Sequence, residues 1–139
     1  MARFFGTYEH SLDSKGRVIL PSRFRASFEH GGYLTQNRDG CLALWTPDEF
    51  ERQMTEMQER AASGKSDRNL ARMWASQTND LEVDRQGRIV LPARMRQYAG
   101  LENDVTVVGV IDRVELWDPE RWQANIGPEE QRFTEGADD

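Results

Sequence analysis

The length, composition and charge of the chain exclude several classes of protein. The sequence has 139 residues, of which 37% are hydrophobic and 30% are charged, and its formal net charge is −6. This length fits one domain or two small fused domains. A single cysteine, Cys41, excludes a disulfide framework and a thiolate metal cluster. Because no apolar run reaches the length of a signal peptide or a membrane span, we expect a cytoplasmic protein.

The first predicted element is a turn that leads into a short strand. Asp13 and Gly16 occupy the first and last positions of a type I turn, and a positive φ at Gly16 would complete a three-residue hairpin loop. The β-rich residues 18–20 predict a buried strand. Pro21 then predicts the start of a short helix over residues 22–29.

Two further strands and a capped helix follow along the chain. The strands are predicted over residues 33–36 and 41–45, joined by the turn Asn37-Arg38-Asp39-Gly40. The order Thr46-Pro47-Asp48-Glu49 is a capping box with proline at the first helical position. The helix continues into a helical insert over residues 53–78.

The chain then repeats this order of elements. Residues 84–96, DRQGRIVLPARMR, match residues 13–25, DSKGRVILPSRFR, at seven of thirteen positions. A second turn is predicted from Asp84 to Gly87, and a helix over residues 93–99 is stopped by Gly100. Strands over residues 105–111 and 114–117 and a helix start at Asp118-Pro119 complete the second copy.

The repeat defines the expected domain organisation. We assign residues 7–52 and 79–124 to the two copies and residues 125–139 to an acidic C-terminal tail, which should fray from residue 127 onward. One copy is too small to bury much core by itself. Two copies related by a pseudo-twofold axis could share one core, which predicts an α+β domain.

Positive charge is concentrated in the two matched stretches. Residues 13–25 and 84–96 each contain four basic residues and one acidic residue, so each stretch carries +3 and the remainder of the chain −12. A local basic patch, rather than the charge of the whole chain, decides where a polyanion binds.

Residues at and just after the turns are the candidates for binding DNA. Arginine can bond O6 and N7 of guanine, and lysine or arginine can neutralise phosphates. The predicted DNA-binding residues are Lys15, Arg17, Arg85, Gln86 and Arg88, and the predicted turn-forming residues are Asp13, Gly16, Asp84 and Gly87. The alternatives are a merely solvated face, or ion pairs of the arginines with the turn aspartates. For the helix arginines, structural pairing and DNA contact remain equally open; these are Arg23, Arg25, Arg94 and Arg96.

No motif of enzyme chemistry accompanies these residues. The sequence contains neither a phosphate-binding loop of the Walker type nor a GxGxxG motif, and DSKGR lacks the oxygen ligands of a calcium loop. A role of Asp13 and Asp84 as catalytic acid and base is less favoured than their role in closing the turns. We therefore expect no enzyme activity, no cofactor and no metal.

Three groups of motifs together resemble those of a known family. They are the duplicated Asp-x-x-Gly-Arg turn followed by an aliphatic run and Leu-Pro-x-Arg-x-Arg, the opening Phe5-Gly6-Thr7-Tyr8, and the two Trp-(Thr/Asp)-Pro helix starts. In this pattern, from residue 4 to about 133, the chain resembles the MraZ family of bacterial transcriptional regulators. The resemblance implies duplicated AbrB-like swapped-hairpin half-units forming one pseudo-twofold β-barrel-like domain with flanking helices.

The resemblance also implies partners and site residues. It implies ring-shaped homo-oligomers that bind tandem short promoter repeats in double-stranded DNA at the nucleoid and repress their own division and cell-wall gene cluster. The DxxxR arginines of the family fall on Arg17 and Arg88. Gln86 stands where the first copy has Lys15, which predicts different base preferences for the two hairpins. An antitoxin-like protein-interaction module of the same fold is the alternative, disfavoured by the doubled copy and the short tail.

Overall fold

The structure, a computed structural model, describes residues 2–136 as eight strands and five helices. The strands are Thr7–Ser11 (β1), Arg17–Ile19 (β2), Gly32–Gln36 (β3), Leu42–Trp45 (β4), Asn79–Leu81 (β5), Arg88–Val90 (β6), Asp104–Gly109 (β7) and Val114–Trp117 (β8). The helices are Ser22–Arg25 (α1), which a 3₁₀ turn over Ala26–Phe28 extends, Pro47–Ala61 (α2), Lys65–Gln77 (α3), Ala93–Ala99 (α4) and Pro119–Glu135 (α5). The same order of elements occurs twice, which confirms the predicted duplication and the α+β class.

Each repeat contributes its first strand to the other repeat. β1 pairs antiparallel with β7, from Thr7 opposite Val108 to Ser11 opposite Asp104. β5 pairs in the same way with β3. The central strands β4 and β8 pair with each other, so the order of the six-stranded sheet is β1-β7-β8-β4-β3-β5. The two halves of this sheet are therefore related by exchange of strands between the repeats.

The repeats also form a second, separate sheet. β2 and β6 pair only with each other, and we call this pair the β2–β6 ribbon. Among residues 2–136 the six-stranded sheet stays open, with β1 and β5 at its edges, so the expected barrel-like closure is not found. A backbone hydrogen bond from the Asp13 N–H to the Arg17 carbonyl, at 2.9 Å, closes the first turn at the start of β2.

Both repeats contribute to one hydrophobic core. The main cluster joins the inner face of the ribbon to the six-stranded sheet and to the short helices α1 and α4. Its largest fully buried side chains are Phe4, Phe28, Leu20, Leu34, Leu42, Leu44, Ile89, Leu91, Met95 and Leu116. Since neither repeat supplies this set alone, the shared core expected from the sequence is confirmed.

Helices α2 and α5 begin at the predicted caps. Thr46 accepts a hydrogen bond from the Glu49 N–H at 3.3 Å, and Asp118 accepts one from the Arg121 N–H at 3.1 Å. These bonds satisfy amide groups that a helix start otherwise leaves unpaired. Helices α2 and α3 are attached to β3 by aromatic stacking of Tyr33, Phe50 and Trp74.

The C-terminal segment differs from its prediction. Residues from Gly127 onward were predicted to fray, but α5 continues through Pro128 to Glu135 and ends at Gly136 in the left-handed conformation. The last three residues of the predicted tail lie outside the described residues. Across residues 2–136, none of the helices combines the length and the apolar character that crossing a membrane requires.

Cys41 is fully buried immediately before β4. Burial raises the pKa of its thiol well above the usual range, and the carboxylates of Glu115 and Asp39 add to this effect. Because the thiolate is the reactive form, we expect native Cys41 to react with a disulfide reagent at least about tenfold more slowly than the unfolded chain at about pH 8. Equal labelling rates with and without guanidinium chloride would contradict this burial.

Candidate nucleic-acid interface

The β2–β6 ribbon places residues of both repeats on one exposed face. Its strands pair antiparallel, with Val18 opposite Ile89 at the centre, and both of these side chains are buried. Since side chains alternate between the faces of a strand, the neighbouring positions face away from the core. This outer ribbon face consists of Arg17, Ile19, Arg88 and Val90. It therefore combines two arginines with two aliphatic residues.

The register puts the two arginines at opposite ends of the outer ribbon face. Arg17 lies opposite Val90, and Arg88 lies opposite Ile19. The sequence predicted both arginines as equivalent members of a repeated motif, separated by most of the chain. The fold brings them onto one surface with the same outward direction.

Asp13 organises the first turn through three hydrogen bonds. Its Oδ1 accepts the backbone N–H groups of Lys15 and Arg17, each at 2.9 Å, and its Oδ2 accepts the Arg17 Nε–H at 2.7 Å. Gly16 donates its N–H to the Asp13 carbonyl at 3.1 Å and has a φ of +73°. Only glycine adopts this conformation at little cost, as the turn prediction required.

The second turn repeats this geometry. Asp84 accepts the N–H groups of Gln86 and Arg88 at 2.9 Å and the Arg88 Nε–H at 2.8 Å. Gly87 has a φ of +82° and donates its N–H to the Asp84 carbonyl at 3.0 Å, which closes the turn. The duplicated sequence thus produces two matching turns, and both aspartates act within their own turns rather than as a catalytic pair.

The aspartates engage each arginine at Nε and leave the ends of the guanidinium groups available. The side chains of Arg17 and Arg88 are 24% and 29% exposed, and within residues 2–136 their terminal nitrogens have no hydrogen-bond partner. Ion pairing, one of the alternatives for these residues, is therefore present. It still leaves the two terminal NH2 groups of each guanidinium, which can bond O6 and N7 of guanine.

Each turn glycine also accommodates an arginine from the other repeat. Arg25 donates its Nε–H to the Leu20 carbonyl, just after β2, at 2.9 Å. Its guanidinium lies against Gly87, in the space that a Cβ at that position would occupy. Arg96 makes the equivalent bond at 3.1 Å, and its Cζ would be 2.9 Å from a Cβ on Gly16. The two turns are therefore supported by crossed arginines.

The other two helix arginines bind neutral groups. Arg23 donates to the Tyr8 hydroxyl at 3.2 Å, and Arg94 lies 3.4 Å from both the Gln77 carbonyl and Asn79 Oδ1. In the described part of the chain, no carboxylate lies within 4.0 Å of any of the four helix arginines. Their structural contacts are thus present, but their charges remain unneutralised.

The remaining predicted residues lie at the exposed tips of the turns. Lys15, Arg85 and Gln86 are all exposed, and their side chains make no hydrogen bond or ion pair to any residue from 2 to 136. Together with the arginines of the ribbon and the short helices, they give this end of the molecule eight cations against two turn carboxylates. The arrangement can attract and hold a polyanion.

The turn network lowers the pKa of the Asp13 carboxyl to about 2, chiefly through the backbone N–H of Arg17 and then through its guanidinium. Because this value lies below the usual pKa of about 3.9, the stabilisation is complete above about pH 4 and is lost as the pH falls through about 2. We expect the Asp13 carboxyl carbon to titrate near pH 2 in an NMR experiment, with Asp13→Asn used for assignment. An inflection near the usual value would contradict the turn network in solution.

The sequence prediction missed the aliphatic half of the outer ribbon face. Residues 18–20 were expected to be buried as a run, but Ile19 is 36% exposed and its counterpart Val90 is 60% exposed. The missed signal is the alternation of a half-buried strand: once Arg17 is placed outside, Ile19 must lie outside as well.

Comparison with known proteins identifies the family. A family model described as "MraZ protein", of proposed antitoxin-like character, matches residues 3–73 and, a second time, residues 74–138. The chain belongs to the MraZ family. Both matches together span almost the whole sequence, and each contains one DxxxR turn.

Curated relatives agree with this assignment. The proteins named "Transcriptional regulator MraZ" are 40% identical over 136 residues in Micrococcus luteus, covering 98% of this chain and 95% of the relative, and 40% identical over 126 residues in Acetivibrio thermocellus, covering 91% and 88%. The relative of that name in Lachnoclostridium phytofermentans is 41% identical over 122 residues, covering 88% and 86%. The chain is therefore a transcriptional regulator of a non-enzymatic MraZ family, as its motifs predicted.

Proposed function

We propose that this MraZ family member binds specific sequences in double-stranded DNA through the β2–β6 ribbon and its two turns. One observation carries the proposal: Arg17 and Arg88 lie on one exposed face, each held at Nε by an aspartate, with its terminal N–H groups unpaired in the described chain. A two-stranded ribbon fits the major groove, where a guanidinium bonds guanine.

The tips of the turns would supplement this contact. Lys15 and Arg85 are exposed cations that would neutralise phosphates. Each phosphate contact steepens the slope of log K against the logarithm of the salt concentration by about 0.9. Gln86 has an amide that bonds N6 and N7 of adenine, which lysine cannot do. The two turns would therefore prefer different bases, which favours asymmetric half-sites.

The biological target follows from the family resemblance. We propose that the protein represses its own division and cell-wall gene cluster in the cytoplasm, associated with the nucleoid, by binding tandem short promoter repeats. We further propose AbrB-like units over residues 7–52 and 79–124, linked by the helical insert 53–78 and followed by the C-terminal segment 125–139. A single pair of turns offers few contacts, so tandem repeats would strengthen binding by avidity.

A ring-shaped homo-oligomer would supply this avidity. Supporting it, Phe133 on α5 is 84% exposed, and Ile126 lies on the same stretch of helix among glutamates. An exposed aromatic residue on an otherwise polar helix favours association with another chain. Light scattering at several protein concentrations tests the proposal, and a mass equal to one chain throughout would contradict it.

An antitoxin-like interaction module is the second candidate. The description of the matching family model favours it, because that description includes an antitoxin-like character. It predicts co-purification of a toxin partner and no binding of any promoter DNA. The doubled turn motif, with two guanidinium groups on one face, supports DNA binding in preference to it.

A mobility-shift assay followed by footprinting on the DNA upstream of the gene tests the leading proposal. We expect a shifted band at protein concentrations that do not shift a scrambled duplex of the same length and composition. Protection should cover repeated segments and include guanine N7 in the major groove. Equal affinity for the target and the scrambled duplex would contradict specific binding.

A further inference from the structure

The outer ribbon face carries two aliphatic side chains that the fold does not bury. Ile19 is 36% and Val90 is 60% exposed, whereas Val18 and Ile89 on the opposite face fill the core. Exposed β-branched residues are ordinary when scattered over a surface. Here they occupy equivalent positions of the two repeats, and each lies directly across the ribbon from an arginine.

The ribbon register places each aliphatic residue directly opposite an arginine. Val90 is opposite Arg17, and Ile19 is opposite Arg88. Directly opposed residues of an antiparallel pair have Cβ atoms about 4.5–5.5 Å apart. Successive base pairs are separated by about 3.4 Å along the helix axis. When an arginine contacts one base pair, its aliphatic partner therefore lies within reach of the next.

The major groove offers one apolar group to such a side chain. The edges of guanine, cytosine and adenine present hydrogen-bonding atoms there, whereas thymine also presents its C5-methyl group. We infer that Ile19 and Val90 contact thymine methyl groups beside the base pairs that the ribbon arginines contact. This inference rests on the DNA-binding function proposed above, and it makes the two residues determinants of base specificity.

A second copy of the chain is a poor alternative occupant of this face. The two aliphatic residues form a patch far smaller than a stable protein interface requires, and they are flanked by Arg17 and Arg88. A second copy docked through the same face would bring its own basic residues against them. The cationic surroundings of the patch match a polyanion instead.

Replacement of single thymines by deoxyuridine tests the inference, because the two bases differ only by the methyl group. The probe is a duplex of the segment that the wild-type protein protects upstream of the gene, with one thymine replaced at a time. We expect a loss of about fourfold in affinity at thymines adjacent to protected guanines, the effect of one apolar carbon. Other thymines should give no change.

Two variants assign the effect to the side chains. In the single variants Ile19→Ala and Val90→Ala, the affinity for the thymine duplex should fall by about fourfold or more. In each variant, deoxyuridine at the thymines that the truncated side chain contacts should cause no further loss of affinity. Met73→Ala, which truncates an exposed apolar residue on α3, is the matched control and should behave as wild type.

The possible failures can be told apart. Wild-type affinity that is unchanged by deoxyuridine at every position would overturn methyl contact while leaving DNA binding intact. Sensitivity to deoxyuridine that persists in both alanine variants would overturn the assignment to Ile19 and Val90. Absence of any protected segment would overturn the DNA-binding function itself, and this inference with it.

Discussion

The double variant Arg17→Ala with Arg88→Ala is expected to lose specific DNA binding and to keep its fold. One bidentate arginine–guanine contact contributes about 1–3 kcal/mol of discrimination, so removal of both should raise Kd by roughly 30-fold to 10⁴-fold. Both side chains lie on the outer ribbon face, away from the core cluster. Fluorescence anisotropy with the protected duplex measures the loss, and thermal unfolding followed by circular dichroism checks the fold.

A charge-matched control separates base contact from general electrostatics. Arg68 and Arg72 are exposed on α3, and replacing both by alanine removes the same charge outside the ribbon. We expect this control to bind the protected duplex as wild type does. A double ribbon variant with unchanged affinity, or a control with an equal loss, would refute the assignment of the arginines. The single variants should each weaken binding, since the two repeats contribute equivalent contacts.

Gly87→Ala is expected to destabilise the protein by about 2–3 kcal/mol. The φ of +82° costs an L-residue about 1–2 kcal/mol, and the added Cβ would also displace the guanidinium of Arg25 from its place against the turn. Chemical unfolding measures this as a lower denaturant midpoint with an unchanged m-value. DNA binding should weaken as well, because Arg88 follows the glycine directly.

Two controls separate backbone strain from the steric overlap. In Gly87→Ala with Arg25→Ala, the overlap is absent, and we expect the combined loss to be smaller than the sum of the single losses. Gly127→Ala on α5 has open space around it, so the free energy of unfolding should change by less than about 1 kcal/mol. Additive losses in the double variant would contradict the crossed support of the turns by Arg25.

Features that depend on short-range chemistry could be predicted from the sequence. The turns at Asp13 and Asp84, the cap at Thr46 and the helix stop at Gly100 each depend on a side chain or a glycine within a few residues. The duplication was visible because the same local signals occur twice. The candidate arginines were found for the same reason, as members of a repeated motif.

Features that depend on distant partners could not be predicted from local patterns. Nothing near β1 specifies that it pairs with β7 rather than with β2, because the choice depends on which apolar faces meet in the core. Barrel-like closure, which is not found among residues 2–136, likewise depends on distant partners. The composition of residues 127–135 predicted a frayed tail, but α5 continues through Pro128, although a proline inside a helix removes one backbone hydrogen bond.

The exchange of first strands has a consequence for synthesis of the chain on the ribosome. β1 ends at Ser11, but its partner β7 is not finished until Gly109 has been added. At about 5–20 residues per second, the edge of β1 waits at least about 5 seconds for that partner. A nascent chain that stalls in this interval exposes an unpaired strand to its neighbours on the same message, where it can join another chain instead of its own second half.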